Sequence, residues 1–392
     1  MRLTFGDEVE AFRREFLGWL AENRPTEEEM AAEPPVSSAH MPGWAARWTR
    51  RMFDAGWLVP GWPPERGGRD AGPVETLVYM EELTKAGIPR TTNPKGLGII
   101  APSILDYGTD EQVRDYAMPI LHGERTACLG MSEPGAGSDL ASLSTRAVLD
   151  GDHFVVNGQK VWTSGANYAD FCFLFCRTDP DAPKHKGISV LLLDMSTPGV
   201  TVRPLPEIVD PEHPDLNEVF LDDVLVPREN LVGQMNNGWA MANGSLAHER
   251  GMVWLGSVMM LDSNVDALRA QAPAALARLA PEDRAAVADG IVESVIDATA
   301  ARCLGYRGFA KLVRGGSAPE QALMKAFCSE SQQRLTLRAA EMGADRALDV
   351  APAGDDPAWV ERYLGTFGGT ISAGSSEIQR NIIAEKVLGL PR

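Results

Sequence analysis

The sequence predicts an α+β fold in three stretches: helical over residues 1–124, β over 125–235 and helical again over 236–392. Three observations point to it. Apolar residues recur at helical spacing near the N-terminus. The period shortens towards two between Thr126 and Gly233, and long apolar and alanine-rich runs return after Gly238. A chain of 392 residues is long enough for two or three packed subdomains.

In the first stretch, Val9, Phe12, Phe16, Leu17 and Leu20 share one face of a helix over Asp7–Asn23, and Pro25 lies just past its end. Residues 27–42 are rich in Pro and small side chains and are expected to be irregular. Trp44, Trp48 and Met52 begin a second amphipathic face. The run Gly61-Trp62-Pro63-Pro64-Glu65-Arg66-Gly67-Gly68 is too rich in Pro and Gly for helix. Val74–Ala86 and Gly96–Tyr107 are predicted buried helices. Thr109-Asp110-Glu111-Gln112 has the form of a capping box opening a helix to about His122.

The middle stretch opens on Ala127–Leu140, ACLGMSEPGAGSDL. An apolar run of Ala127, Cys128, Leu129 and Met131 suits a strand and breaks at Ser132-Glu133-Pro134-Gly135-Ala136-Gly137-Ser138-Asp139. Gly135 and Gly137 can take backbone angles closed to other residues. Such a turn can present N–H groups and the Ser132 and Ser138 hydroxyls to a phosphate or a planar ring, or it can be an ordinary Gly-Pro loop. His153–Trp162 is expected to be a hairpin with Asn157-Gly158 at its tip. Phe171–Cys176, Ile188–Met195 and Glu218–Val226 are further strands. Trp162 either closes a hairpin core or offers an indole face to a ligand.

After Gly238, Trp239 to about Leu268 is apolar nearly all round, as in a buried helix. Glu249 and Arg250 stand out within it. A buried carboxylate suits a general base, and a Glu-Arg pair equally suits a structural brace.

Composition narrows the function classes. A formal charge of −17 argues against general nucleic-acid affinity. No charge-free run of about 20 apolar residues indicates a membrane span, and residues 1–23 lack a signal-peptide core. Cysteines 128, 172, 176, 303 and 328 are odd in number and lack zinc spacing, so no metal site is expected. Cys172 and Cys176 alternate with phenylalanines, as buried strand residues do. Reduced thiols in a cytoplasmic protein are the expectation.

The Ser-Glu-Pro turn closely resembles the flavin- and thioester-binding turn of the acyl-CoA dehydrogenase family. Trp162-Thr163-Ser164-Gly165 resembles that family's Trp-x-Thr turn beside the isoalloxazine ring. Ile371-Ser372-Ala373-Gly374-Ser375-Ser376-Glu377-Ile378-Gln379-Arg380 resembles its Glu-Gly-Thr signature before the last helix. The resemblance covers nearly the whole chain and implies a helical N-terminal domain, a middle β-domain and a C-terminal four-helix-type bundle. It implies FAD held by Leu129, Met131, Ser132, Gly137, Ser138, Trp162, Thr163 and Ser164, and an acyl-CoA substrate held by Ser138, Arg250 and Gly374.

In most of the family the residue before that glycine is the catalytic Glu; here it is Ala373, which cannot take a proton. Isovaleryl-CoA and long-chain acyl-CoA dehydrogenases carry the base on the buried helix before an arginine, the position of Glu249 here. The resemblance therefore implies α,β-dehydrogenation of an acyl-CoA to the 2-enoyl-CoA, with Glu249 abstracting the α-proton and flavin N5 taking the β-hydride. The resemblance also implies that the Ala373 N–H, which alanine keeps, is one of two donors to the thioester oxygen, the other being a flavin ribityl hydroxyl. Glu377 reads as a first-turn residue of the last helix. An electron-transfer flavoprotein is the implied electron acceptor.

Two departures bear on assembly. The Arg-x-x-Phe-Gly motif by which homotetrameric relatives reach a neighbour's FAD is missing from Leu268–Ala275, and a glycine-rich segment is replaced around 341–356. A hetero-oligomer with a related subunit, as in heteromeric dehydrogenases acting on steroid side chains, is the expected arrangement. A homo-oligomer in which another arginine such as Arg302 or Arg307 takes over is the alternative. A non-catalytic or half-site subunit, and a flavin oxidase or monooxygenase on the same fold, are the competing functions.

Overall fold

The computed structural model describes residues 5–242, 253–316, 321–342 and 358–391. The chain forms two compact units, Met1–Glu249 and Arg250–Arg392.

In the first unit, helix α1 (Asp7–Asn23) buries Phe16 and Leu20, as its apolar spacing requires. Residues 27–42 are not wholly irregular, because α2 (Glu27–Ala32) forms there. Its cause is local: the Thr26 hydroxyl accepts the Glu29 N–H at 3.1 Å, and the Glu29 carboxylate accepts the Thr26 N–H at 3.0 Å. Helix α3 (Gly43–Asp54) buries Trp44, Trp48 and Met52. Helix α4 (Pro73–Lys85) follows, then a wide turn at Gly96–Ile100 that runs into α5 (Ala101–Tyr107). Thr109 and Gln112 make the expected reciprocal cap on α6 (Asp110–Gln112). The chain stays helical through Val113–Ala117 to α7 (Met118–Leu121). Phe16 ties these helices together, its ring 4.7 Å from Tyr79 and 4.9 Å from Trp57.

The same unit holds one seven-stranded sheet. Its strands are β1 (Ala127–Gly130), β2 (Arg146–Asp150), β3 (His153–Lys160), β4 (Phe171–Arg177), β5 (Ile188–Asp194), β6 (Val200–Pro204) and β7 (Asn217–Pro227). β4 pairs parallel with β1 and antiparallel with β5. β2, β3, β7 and β6 form an antiparallel ladder joined to β4 at Arg146–Arg177. Alternation along β4 serves two cores. Phe171, Phe173 and Phe175 pack with the helices, while Cys172, Leu174 and Cys176 pack with Phe154, Val156 and Leu191. All five cysteines are free, and only Cys303 is exposed.

The expected hairpin at Asn157-Gly158 does not form. β3 runs straight through it, and the tight turn lies earlier, between Asp150 and His153, where Gly151 has φ +59°. Asn157-Gly158 is instead an irregularity in the β3–β7 register. The Asn157 amide bonds Asp223 at 2.9 Å, and a Cβ on Gly158 would come within 2.6 Å of Thr145. The closer Asp-Gly pair won the turn, leaving Asn-Gly opposite a bulge in β7, where Asp223 has φ +46°.

The second unit contains α8 (Val253–Arg278), α9 (Pro281–Val313), α10 (Gln321–Met342), α11 (Trp359–Ile371) and α12 (Ser376–Ile382). Among them α10 touches all four others. Helix α8 does not stop near Leu268 but continues through Pro273 to Arg278, in an alanine-rich run of high helix propensity. Nor is it buried all round. Trp254, Val258, Leu261, Val265 and Leu268 are buried at helical spacing, whereas Met260 is exposed. Gly305 lets α9 approach closely, since a Cβ there would sit 2.2 Å from Trp254. Buried Asn264 donates to Gln332 at 2.8 Å and accepts from Arg362 at 2.7 Å, linking α8, α10 and α11. No described helix is long and apolar enough to cross a membrane.

Candidate functional site

Strand β1 ends at Gly130 and delivers the chain into the turn containing Met131–Asp139. Glu133 and Ala136 close it with two backbone bonds of 3.0 Å each. Inside lies Glu133, and outside lie Pro134, Gly135, Gly137, Ser138 and Asp139. Neither Gly135 nor Gly137 takes positive φ, so the freedom expected of them is not used. A Cβ at either position would meet nothing within 4 Å, which leaves open space against the turn. Leu129 and Met131 are half-buried against the helical core.

The Glu133 carboxylate is the turn's internal anchor. One oxygen accepts the Ser144 N–H at 2.6 Å and the Ser144 hydroxyl at 2.8 Å. The other accepts the Thr145 N–H at 2.8 Å and Lys160 Nζ at 2.8 Å. Lys160 also donates to the Met131 carbonyl at 3.1 Å and is fully buried at the end of β3. Burial pushes the Glu133 carboxyl up, but Lys160 and the surrounding donors outweigh it and hold the group at about 2. Burial pulls the Lys160 ammonium down, and Glu133 opposes that. At 2.8 Å each group favours the charged form of the other.

The lysine leads directly to the second segment. Val161 donates its N–H to the Ser132 carbonyl at 3.0 Å, so the Ser-Glu-Pro turn and the Trp162 segment are joined. Trp162 is 61% exposed with φ +58°, a left-handed conformation unusual for a bulky residue. On its other side Thr163 is buried, with its N–H on the Asn217 carbonyl at 3.0 Å. The Thr163 hydroxyl has no partner within the described residues. Ser164 follows, half-buried, before Gly165 at φ +72°, where a Cβ would collide with Ala39. The structure thus brings Met131, Ser132, Trp162 and Thr163 into one joined constellation, with Gly137 and Ser138 exposed on the same turn.

In the second unit, α11 ends at Ile371 and the chain turns through Ser372, Ala373 and Gly374. Ala373 has φ +52° and Gly374 φ +91°. Ser375 caps α12, its hydroxyl accepting the Ile378 N–H at 3.4 Å. Glu377 lies in the first turn of α12, as expected, and is exposed. Its carboxyl is held below its ordinary value by the backbone and by Ser375, so it stays ionised. A cleft of about 470 Å³ beside it is lined by Gln333, Arg334, Thr370, Ser376 and Arg380, among others. Arg302 is committed to Asp262 at 2.6 Å. Glu249 and Arg250 lie outside the described residues, as does the altered segment 343–357.

Sequence reasoning missed Lys160, Lys325 and Gln379. Lys160 had a signal: it falls in phase with the inward-facing Phe154 and Val156 of β3. An inward lysine needs a buried acid, and the structure supplies Glu133.

Models of the acyl-CoA dehydrogenase N-terminal, middle and C-terminal domains match residues 6–124, 128–224 and 236–388. The chain belongs to the acyl-CoA dehydrogenase family and is an enzyme of that class. It is 35% identical over 391 residues to the acyl-CoA dehydrogenase IpdE1 of Mycobacterium tuberculosis, covering 98% of each chain. Its structure is similar to a chain of the ChsE4-ChsE5 complex from Mycobacterium tuberculosis, with a TM-score of 0.82, 31% identity and full coverage of both chains. The Tcur3481-Tcur3483 steroid ACAD matches with the same TM-score and coverage at 27% identity.

Proposed function

We propose that this chain carries out FAD-dependent α,β-dehydrogenation of an acyl-CoA thioester to the 2-enoyl-CoA, with Glu249 as the base. The observation behind the cofactor assignment is Trp162, exposed in left-handed backbone beside the unpartnered, buried Thr163 hydroxyl. An indole face next to an unsatisfied hydroxyl suits a flat heteroaromatic ring with a polar edge. Open space at Gly135 and Gly137 supports a ligand lying against the turn. These residues fit the flavin that the family implies. Leu129, Met131, Ser132, Gly137, Ser138, Trp162, Thr163 and Ser164 would hold it. Bound there, FAD would supply at N5 the acceptor for the hydride leaving Cβ.

The chain's own groups would manage the proton. An α-proton of a thioester is weakly acidic, so removal needs a positioned carboxylate together with a donor to the carbonyl oxygen. Glu249 is assigned the first task because Ala373 occupies the usual position and cannot do it. Ala373 is assigned the second, through its backbone N–H. Ser138, Arg250 and Gly374 are proposed contacts to the substrate. An electron-transfer flavoprotein is proposed as the acceptor that restores the oxidised enzyme.

A related second subunit is proposed to complete the site. The missing Arg-x-x-Phe-Gly motif supports this, as does the commitment of Arg302 to Asp262. Similarity to a chain of a two-protein complex and to a steroid ACAD points the same way, and towards a bulky or steroid acyl group. The test is to purify the chain alone and with a related subunit, measure native mass and flavin per chain, then add acyl-CoAs without oxygen. Bleaching of the flavin by acyl-CoA in the mixed oligomer supports the proposal. One tightly held FAD per chain and full turnover in a homo-oligomer would remove the need for a partner. Absence of bound flavin in every assembly would remove the dehydrogenase mechanism.

A further inference from the structure

We propose that Lys325 is a positioning residue for this reaction, holding the 372–375 turn so that the Ala373 N–H is set for a thioester oxygen. The inference rests on the proposed donor role of Ala373. Lys325 projects from α10, and its Nζ donates to the Gly374 carbonyl at 2.7 Å. From the other side, Gln379 Nε2 on α12 donates to the Ala373 carbonyl at 3.2 Å. Before the turn, the Ser372 N–H is held by the Gly368 carbonyl at 2.9 Å. Both peptide carbonyls that follow the Ala373 Cα are therefore gripped, and the residue before it is tied to α11.

The grip has something to oppose. Ala373 sits at φ +52°, a left-handed conformation that an L-residue with a Cβ leaves readily unless its surroundings fix it. A rotation of the turn back to negative φ would swing the peptide planes on either side of Ala373, because each plane is rigid. The position of the Ala373 N–H thus depends on contacts made by Lys325 and Gln379. Neither contact is a surface accident. Lys325 is half-buried, where burial lowers its pKa against the opposing pull of Glu330 and Glu377. At Gly374 an added Cβ would lie 2.7 Å from the Gln379 amide, so the turn and its clamp are closely fitted.

Two CoA ligands separate this role from general support of the bundle. A 2-enoyl-CoA bears the thioester carbonyl, and the matching thioether lacks that oxygen. The holoenzyme should bind the enoyl-CoA more tightly than the thioether. In Lys325→Met that preference should fall about tenfold, the scale of one lost hydrogen bond, while thioether binding stays unchanged. Lys325→Arg, which keeps a cationic donor, should restore most of it. Should the methionine variant fail to fold, Lys325→Gln, too short to reach the same carbonyl, is measured with the same expected outcome. Full preference retained in a folded Lys325→Met or Lys325→Gln would overturn the inference alone. If the unmodified enzyme shows no preference between the ligands, Ala373 is not a carbonyl donor, and the inference falls with that reading.

Discussion

Lys160 Nζ lies 2.8 Å from Glu133 Oε1, with the lysine side chain wholly buried and the glutamate side chain 4% exposed. The two residues come from different segments of the proposed flavin site, the Ser-Glu-Pro turn and the strand entering Trp162. Their ion pair joins the Ser144 and Thr145 donors and the Glu133–Ala136 backbone bonds in holding the turn, without positive φ at Gly135 or Gly137.

Removing one partner should therefore be far worse than removing both. Glu133→Gln leaves a buried ammonium uncompensated and is expected to cost about 3–5 kcal/mol. Glu133→Gln combined with Lys160→Met should recover a large part of that loss. Chemical denaturation of the single and double variants gives the coupling directly. Additive losses would show that the pair does not act as a unit.

The same pair predicts an acid limb to stability. Glu133 titrates at about 2 in the folded chain against an ordinary value of 4.5. The folded state thus holds the carboxyl below its unfolded value. Its stabilisation is present above pH 4.5 and drains away as the pH falls through 2. The contribution is on the order of 3 kcal/mol from the size of the shift. Denaturation midpoints between pH 5 and 2 should fall more steeply for the native sequence than for the Glu133→Gln, Lys160→Met double variant. Parallel slopes would contradict the assignment.

Trp162 offers a trade between fold and ligand. Its left-handed backbone is a strain of roughly 1–3 kcal/mol for a residue with a side chain. Trp162→Gly should relieve part of that strain and leave the ligand-free fold as stable or more stable. It should nevertheless weaken FAD retention, because the exposed ring is gone. Thermal melts of the ligand-free protein and flavin occupancy after gel filtration measure the two effects separately. Undiminished occupancy would take Trp162 out of the site.

Legibility in the sequence followed the range of the interactions. Helix α3 was readable from Trp44, Trp48 and Met52, and the Thr109 cap from four consecutive residues, because both signals are local. Local competition caused the errors. Thr26 and Glu29 capped a helix inside a Pro-rich stretch, and Asp150-Gly151 took the turn that Asn157-Gly158 also encoded. The Ser-Glu-Pro turn was recognisable as a segment, whereas its clamp was hinted at only by the phase of Lys160 along β3, since Lys160 and Glu133 are 27 positions apart. Lys325 and Gly374 are 49 apart, and nothing near either residue announces the other.

The proposed shift of proton abstraction from position 373 to Glu249 is tested most directly by one comparison. Flavin reduction by an acyl-CoA is followed anaerobically in Glu249→Gln and in Glu377→Gln, each loaded with FAD. Glu249→Gln should retain its flavin but lose reduction rate by about 10²-fold or more, the scale of a general base, while Glu377→Gln remains close to the native rate. Near-native reduction in Glu249→Gln, or a collapse in Glu377→Gln alone, would contradict the account.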